Sequence, residues 1–483
     1  MKVKATFYNF RIRKNHGPLA VACGVGFLSG LDTSVNIAFP ALSAAFELDV
    51  SDIQWVVISF VLSYSILLLP IGRFADQIGH GRVVLAGIIV EMFALAACGM
   101  ATVFWFFVLA RIAQGIGIAF MLSSAPALVT LSVSEENQPR ALALFAMMIA
   151  MGVAAGAPIG GVLLQTWDWQ SVYLYRVPYT GLLMLLSLCC AMYRRPTITK
   201  PEVLDIKGAL SLGSGLGLVL FVASRGFTWG WFAFPTLSMA GIGIGLLAVF
   251  VIVERKSENP LIDFNLFAIP DFVTANCLNA LANAAMFTVW FLGPYFLVTV
   301  RGHGTTAGGL ILAVSPIATA IAAKYSARLV RRININLLSR WGLLIEGIGL
   351  VAMSRATALT PLPVVVIFLV LVGAGLGLFQ VPNMSFVMAS IDRTKQGLAG
   401  GITQMTRTVG LVAGLAVWNT LYIILRDRKA AELSISELED PRIFVPAYSA
   451  VLGLAGLLCL LGTLATRQKR ATINDLPDVP LCK

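Results

Sequence analysis

A carboxylate, Asp32, stands inside a long apolar run, with Ser29 three positions before it and Asn36 four positions after it, a spacing that places all three on one helical face. An ionised carboxylate at the centre of a lipid bilayer costs about 2.5–3.5 kcal/mol on insertion scales, so Asp32 must pair with a cation, meet water or hold a proton. Two roles are open to it: a group that takes up and releases protons, or a structural acid satisfied by a neighbouring helix. Arg111 with Gln114, and Gln404 with Arg407, repeat the three-residue spacing inside other apolar runs. Each arginine needs a partner, and Asp32 is the candidate for Arg111; bracing of helices is the plainer role for both arginines.

Neutral polar residues form a second set. Asn276, Asn279 and Asn283 make a single stripe, followed by Phe287 and Trp290, and Gln380 and Asn383 repeat the pattern further on. Amides beside aromatics suit a cavity for amphipathic compounds; hydrogen bonds between helices are the other use of such a stripe. Glu91 and Glu346 sit in surroundings apolar on all sides, where an acid either takes part in coupling or stays protonated as packing. Glu346 is grouped with Asp32, Asn36, Arg111, Gln114 and Arg407 as the expected proton-coupling and substrate set.

The elements that must hold these residues follow from composition. With 58% hydrophobic and 12% charged residues, the 483-residue chain is far from the composition of a soluble protein. Apolar runs of about 20 residues recur from end to end, which reads as an all-α integral membrane protein of about fourteen transmembrane helices. The predicted spans are 18–42, 53–72, 82–101, 104–130, 140–165, 171–193, 207–224, 235–254, 271–300, 306–328, 334–354, 362–390, 397–425 and 444–466. The net charge of +11 lies in short connections rather than on one folded face, which excludes a nucleic-acid surface and reads as topology. Lys and Arg concentrate in the even-numbered connections and the two tails, so both termini are expected in the cytoplasm and the protein in the cell (inner) membrane. The connection from Arg426 to Arg442 is a charged exception on the outer side. The basic start (Lys2, Lys4, Arg11, Arg13, Lys14) leads into the first span without a clear cleavage site. Cys23, Cys98, Cys189, Cys190, Cys277 and Cys459 lie in apolar runs without metal or redox spacing and are expected to pack.

The chain also repeats itself. GIIVEMF from Gly87 matches GLLIEGI from Gly342, placing Glu91 and Glu346 in register. GIG at Gly115 is paired with GLG at Gly375, and Gly152 and Gly156 with Gly410 and Gly414. The expected division is an N-terminal six-helix half (1–195), a linker with two inserted helices (196–270), a C-terminal six-helix half (271–470) and a cytoplasmic tail (471–483). Halves related in this way place a substrate site at their interface and work by rocking. Gly152, Gly156 and Gly160, with Pro158 and Gly161, give the fifth span the character of a hinge or a small-residue seam.

These motifs resemble the major facilitator superfamily and, within it, the fourteen-helix drug:proton antiporter family. GRFADQIGHGR, from Gly72 to Arg82, is similar to the superfamily's gating signature, with Gly72, Asp76, Gly79 and Arg82 matching. LDTSVNIAFP at Leu31, RIAQGIGIAF at Arg111 and GVAAGAPIGG at Gly152 are similar to the motifs of the first, fourth and fifth helices. The resemblance implies proton or substrate handling by Asp32 and Arg111, a conformational switch at Asp76, and export rather than import from the Gly152–Gly161 stretch. Departures are Gln77, His80 and Gly81 in the signature, and Asp168 and Arg176 in WDWQSVYLYRVP, where the resemblance leads one to expect Arg and Asn; a compensating Asp168–Arg176 pair is the expectation. The signature's copy near Lys324 to Arg332 keeps basic residues and lacks the Asp.

Together these point to a secondary transporter that exports small amphipathic or cationic compounds in exchange for protons, with no covalent step and no cofactor beyond the proton motive force. A dedicated metabolite or siderophore exporter, or a sensor of the same fold without turnover, are the alternatives. The expected partners are a small-molecule substrate and the lipid bilayer; a periplasmic adaptor protein is left open. No GxxxxGK[ST] stretch offers a site for ATP.

Overall fold

The apolar runs fold as long helices, because a backbone in hydrocarbon can satisfy its polar groups only within its own segment. The computed structural model describes residues 17–48, 50–134, 137–190, 206–256, 264–330, 332–391, 396–434 and 440–465, and among them every regular element is helical. The basic N-terminal segment, parts of the linker expected at 196–270 and the tail at 471–483 lie outside the described residues.

The helices are α1 (Gly17–Ile37), α2 (Val50–Ile78), α3 (His80–Gly99), α4 (Phe104–Leu131), α5 (Gln138–Thr166), α6 (Ser171–Cys189), α7 (Ile206–Trp229), α8 (Phe234–Lys256), α9 (Pro270–Val300), α10 (Thr305–Leu329), α11 (Ile335–Met353), α12 (Leu362–Ala389), α13 (Gln396–Leu433) and α14 (Pro441–Ala465). Among the described residues, twelve helices are long and apolar enough to cross a membrane. Shorter apolar stretches, Asp52–Leu68 and Leu210–Ala223, lie within α2 and α7.

Three departures from the expected boundaries have local causes. The first span ends at Ile37 instead of residue 42, and a short helix, Phe39–Ala45, continues the chain with Pro40 in its first turn. The second span runs on to Ile78, so Gly72 is helical, and of the signature's two matching glycines it is Gly79, at φ 102°, that makes the turn into the next helix. The charged stretch after residue 425 begins as helix, since α13 extends to Leu433 and pairs Arg426 with Asp427 and Lys429 with Glu432.

The helices pack as α1 with α5, α4 and α6, α3 with α4, α9 with α13 and α14, and α11 with α12 and α14. The α7–α8 pair lies against α2 and α13 through α7. Small residues set these approaches. Gly117 of α4 lies on the Glu91 backbone of α3, where an added methyl would fall 2.8 Å from the Glu91 nitrogen, and Gly375 of α12 lies on the Glu346 backbone of α11 in the same way. Gly152 and Gly156 of α5 rest on α1, and Gly410 and Gly414 of α13 rest on Ala280 and Ala284 of α9. The repeat is therefore real in three dimensions, with one correction: Gly375 corresponds to Gly117, two residues beyond the Gly115 that the sequence pairing chose. Gly115 instead meets Phe60 and Ser63 of α2, the role that Gly373 plays against Ser315 of α10.

The two sets of helices meet across α5–α10 and α2–α13. At the end where α5 finishes and α10 begins, Gly309 lies on the Ala157 carbonyl and Gly161 on the Thr305 carbonyl, so backbone meets backbone. Thr305 and Thr306 donate to the Gly161 carbonyl at 2.9 and 3.1 Å, Thr306 also donates to Gln165, the Ser43 and Tyr295 hydroxyls lie 2.7 Å apart, and the rings of Phe39 and Phe291 meet at 5.6 Å.

Candidate functional site

Asp32 lies where α1 tightens into a single 3₁₀ turn, Leu31–Thr33, a local change that often marks a functional position in a helix. The turn is held by α5: Gly156 packs on Thr33 and the Ser34 backbone, and the Thr33 hydroxyl donates to the Val153 carbonyl at 3.0 Å. The small residues of α5 thus let α1 come close enough for its bent segment to be supported by backbone. Pro158, which cannot donate to the preceding turn, sits just beyond this contact, beside the α10 seam.

Two arginines converge on the Asp32 carboxylate. Arg111 of α4 donates from both terminal nitrogens, Nη1 to Oδ1 at 3.1 Å and Nη2 to Oδ2 at 3.3 Å, a two-pronged contact that suits guanidinium and carboxylate. Arg176 of α6 donates from Nη1 to Oδ1 at 2.8 Å. Both arginines are 1% exposed, so neither charge is shared with bulk water. Arg111 is fixed further by its Nε, which donates to the Val56 carbonyl of α2 at 2.9 Å, and by the Phe60 ring 4.3 Å from its guanidinium carbon. The Gly115 contact on Phe60 and Ser63 sets that distance between α4 and α2. Arg176 follows the short helix Ser171–Leu174, whose Tyr173 meets Phe107 edge-on at 5.4 Å and fixes where α6 begins.

Gln114 completes the cluster. Its amide oxygen accepts from Arg111, and its Nε2 reaches Asp32 Oδ1 at 3.2 Å and Glu91 Oε1 at 3.0 Å. A second buried acid, 1% exposed, is therefore joined to Asp32 through one side-chain amide. Three buried atoms of the cluster have no hydrogen-bond partner: Glu91 Oε2 and the Nε and Nη2 of Arg176.

The structure brings Asp32, Arg111 and Gln114 together and leaves other expected members elsewhere. Asn36 is half-buried one turn further along α1. Arg407 of α13 is half-buried with its Nε unbonded, within electrostatic range of Tyr64 on α2. Glu346 lies in the other half, on α11, fully buried with neither carboxyl oxygen hydrogen-bonded. The expected Asp168–Arg176 pair is not formed: Asp168 is exposed, and Arg176 turns inward to the half-buried Asp32 because a buried guanidinium needs an anion beside it.

The amide stripe is used largely in helix packing. Asn276 donates to the Phe272 carbonyl at 2.9 Å, Asn279 to the Thr403 carbonyl of α13 at 3.1 Å, and Asn383 to the Ala275 carbonyl at 3.2 Å. Asn283 donates back to Asn279 and accepts from Gln380 at 3.4 Å, and Trp290 stands half-buried beside Phe287. Of the gating signature, Gly72 lies inside α2, Gly79 makes the turn and Arg82 is half-buried at the start of α3; the Asp76 side chain lies outside the described residues.

Sequence reasoning missed two contacts, that of Arg176 with Asp32 and that of Glu91 with Gln114. The signal for each was present as an ionisable residue within an apolar run, without the partner.

A polar cluster enclosed by long apolar helices in two related sets defines a transporter rather than an enzyme. The Major Facilitator Superfamily family model matches residues 22–415, and the chain belongs to that superfamily. It is similar to the cephamycin export protein CmcT of Amycolatopsis lactamdurans, 30% identical over 95% of each chain. It is also similar to the multidrug resistance protein Stp of Mycobacterium tuberculosis, 28% identical over 82% of this chain and 74% of that one. The riboflavin transporter RibZ of Clostridioides difficile is 24% identical over 93% of this chain and 96% of its own. Among solved structures, an inward-facing bacterial homologue of the human lysosomal transporter Spinster shares the fold at a TM-score of 0.66 with 15% identity, covering 97% and 99% of the two chains. A POT family transporter in complex with 5-aminolevulinic acid does so at 0.67 with 12% identity, covering 92% and 94%.

Proposed function

We propose that this transporter exports small amphipathic or cationic compounds across the cytoplasmic membrane in exchange for protons. The observation that carries the reading is the Asp32 carboxylate held between Arg111 and Arg176 on the bent segment of α1. A cluster that joins two acids and two arginines across several helices, with Glu91 linked to Asp32 through Gln114, is sensitive both to a proton and to how those helices are arranged, which is the differential interaction that coupling requires. A proton entering down a membrane potential supplies about 2.3 kcal/mol per 100 mV, enough to concentrate a substrate more than tenfold. The names of the relatives, resistance and export proteins among them, favour export.

The substrate site lies between the halves, with Asn36, Trp290, Gln380 and Asn283 as its polar and aromatic lining, while Asn276, Asn279 and Asn383 brace the helices around it. With α2 and α7 crossing the membrane as well, the count is fourteen and both termini face the cytoplasm, as the distribution of Lys and Arg requires. The Gly309–Ala157 seam then faces outward.

Substrate-driven proton release from the purified protein, together with efflux from cells lacking their own pumps, tests the reading. Export with proton release is expected; a protein that binds compounds without releasing protons or moving them would be a sensor. A dedicated exporter would move one chemical class and leave unrelated cations untouched.

A further inference from the structure

Resting on that reading, we infer that Glu91 is the residue that carries the exchanged proton, with Asp32 as a fixed anion and Arg176 as the arm that Glu91 recruits when it ionises.

Asp32 is poorly placed to take a proton. Its two oxygens receive three guanidinium contacts and one amide contact. Protonating it would leave two arginines, each 1% exposed, without their anion. Removing one partner from a buried pair is strongly unfavourable. Glu91 is held differently. One of its oxygens accepts from Gln114 at 3.0 Å and the other, buried, has no partner, so adding a proton there breaks no ion pair.

The charged groups around Glu91 come from three helices. Asp32 of α1 repels it, and Arg111 of α4 and Arg176 of α6 attract it; Cys98 of its own helix and Tyr173 are the other titratable neighbours of the cluster. With Glu91 ionised the cluster holds two carboxylates and two guanidiniums and is neutral; with Glu91 protonated it carries one positive charge. Arg176 keeps two buried donors, Nε and Nη2, unused, while Glu91 Oε2 is an unused acceptor. An ionised Glu91 therefore has a cation with free hydrogen-bonding capacity to draw on, and α6 must shift against α3 to supply it. Gln114, bonded to both acids and to Arg111, transmits the change to the Asp32 turn and so to α5. The step is proton transfer alone: Glu91 Oε2 gains a proton from water when the helices around it part and later returns it, with no other bond made or broken.

The test is a pH titration of the purified full-length protein in lipid nanodiscs, followed by infrared difference spectroscopy of the carboxylic C=O stretch. The wild type should lose, as pH is raised, a protonated-carboxyl band that Glu346→Gln, which removes the fully buried acid of the other half, still shows; Glu91→Gln should lack that band, and Asp32→Asn should retain it over a shifted pH range, because an opposing anion is gone. Persistence of the titrating band in Glu91→Gln would overturn the assignment, as would its absence from Asp32→Asn alone. Where Glu91→Gln does not fold, Glu91→Asp serves: it should displace the band, and an unmoved band would equally overturn the assignment. On the same samples, proton release on adding ethidium should be lost in Glu91→Gln. Release at wild-type level in that variant sinks the role of Glu91 and leaves the exporter standing. A wild type that titrates as described but neither releases protons nor moves any cation sinks the exporter and, with it, the exchange assigned to Glu91.

Discussion

Arg176 reaches Asp32 across 2.8 Å, closer than Arg111, although neither sequence spacing nor family pattern joins the two residues. The contact ties the start of α6 to the 3₁₀ turn of α1 and gives Asp32 Oδ1 a second guanidinium beside that of α4. Arg176→Ala should therefore reduce proton-driven efflux at least about tenfold, the scale set by losing one charge-assisted contact. Asp168→Ala should leave efflux within about twofold of the parent, since Asp168 is exposed and has no part in the cluster. Initial rates of dye efflux from proteoliposomes separate the two variants, and equal losses would return Asp168 to the site.

Asp32→Asn should abolish coupled export and also lower the thermal unfolding temperature in detergent. The amide keeps the shape but leaves Arg111 and Arg176 buried without a counter-charge, a loss of about 3–5 kcal/mol in comparable buried pairs. The double variant Asp32→Asn/Arg176→Met should recover part of the stability and none of the transport. Recovery of transport would show that the carboxylate only braces the helices.

Much of this site is legible in the sequence, and the limit is physical. Helical spacing puts Asp32 on a face, and an apolar environment demands a partner for Arg111, so their meeting follows from chemistry. The Arg176 contact depends on the angle at which α6 leaves its short initial turn, which Phe107 and Tyr173 set through packing, and no local pattern encodes that angle. The asparagine stripe shows the converse. Asn279 and Asn383 have the spacing of a cavity lining, yet they are taken up by carbonyls on facing helices, because a backbone opened by small residues offers acceptors nearby. The glycine repeat was visible and was misread by two residues, since GIG and GAGLG match in more than one register and only the Gly117–Glu91 contact chooses between them.

Asn279→Ala should accordingly behave as a packing change. One interhelical hydrogen bond within a membrane is worth about 0.6 kcal/mol, so a small fall in thermal stability is expected with efflux within about twofold of the parent. Efflux assays across several dyes check this, and loss for some compounds alone would place Asn279 at the substrate.

Gly156→Leu should stop turnover by forcing α5 away from the Thr33 turn, where an added side chain meets Ser34 backbone at 3.0 Å. Gly309→Leu acts at the other seam and should hold the halves apart at the end where α5 meets α10. Labelling of a cysteine placed at Thr305 should be faster in Gly309→Leu than in the parent and unchanged in Gly156→Leu. Equal labelling in all three would mean that the seam does not govern access.

The Gly309–Ala157 contact sets the Ala157 carbonyl against the bare Cα of Gly309, with no side chain between them. When such a junction parts, what it uncovers is peptide oxygen instead of grease, and water wets it at once. An opening lined in this way hydrates without any side chain having to turn aside.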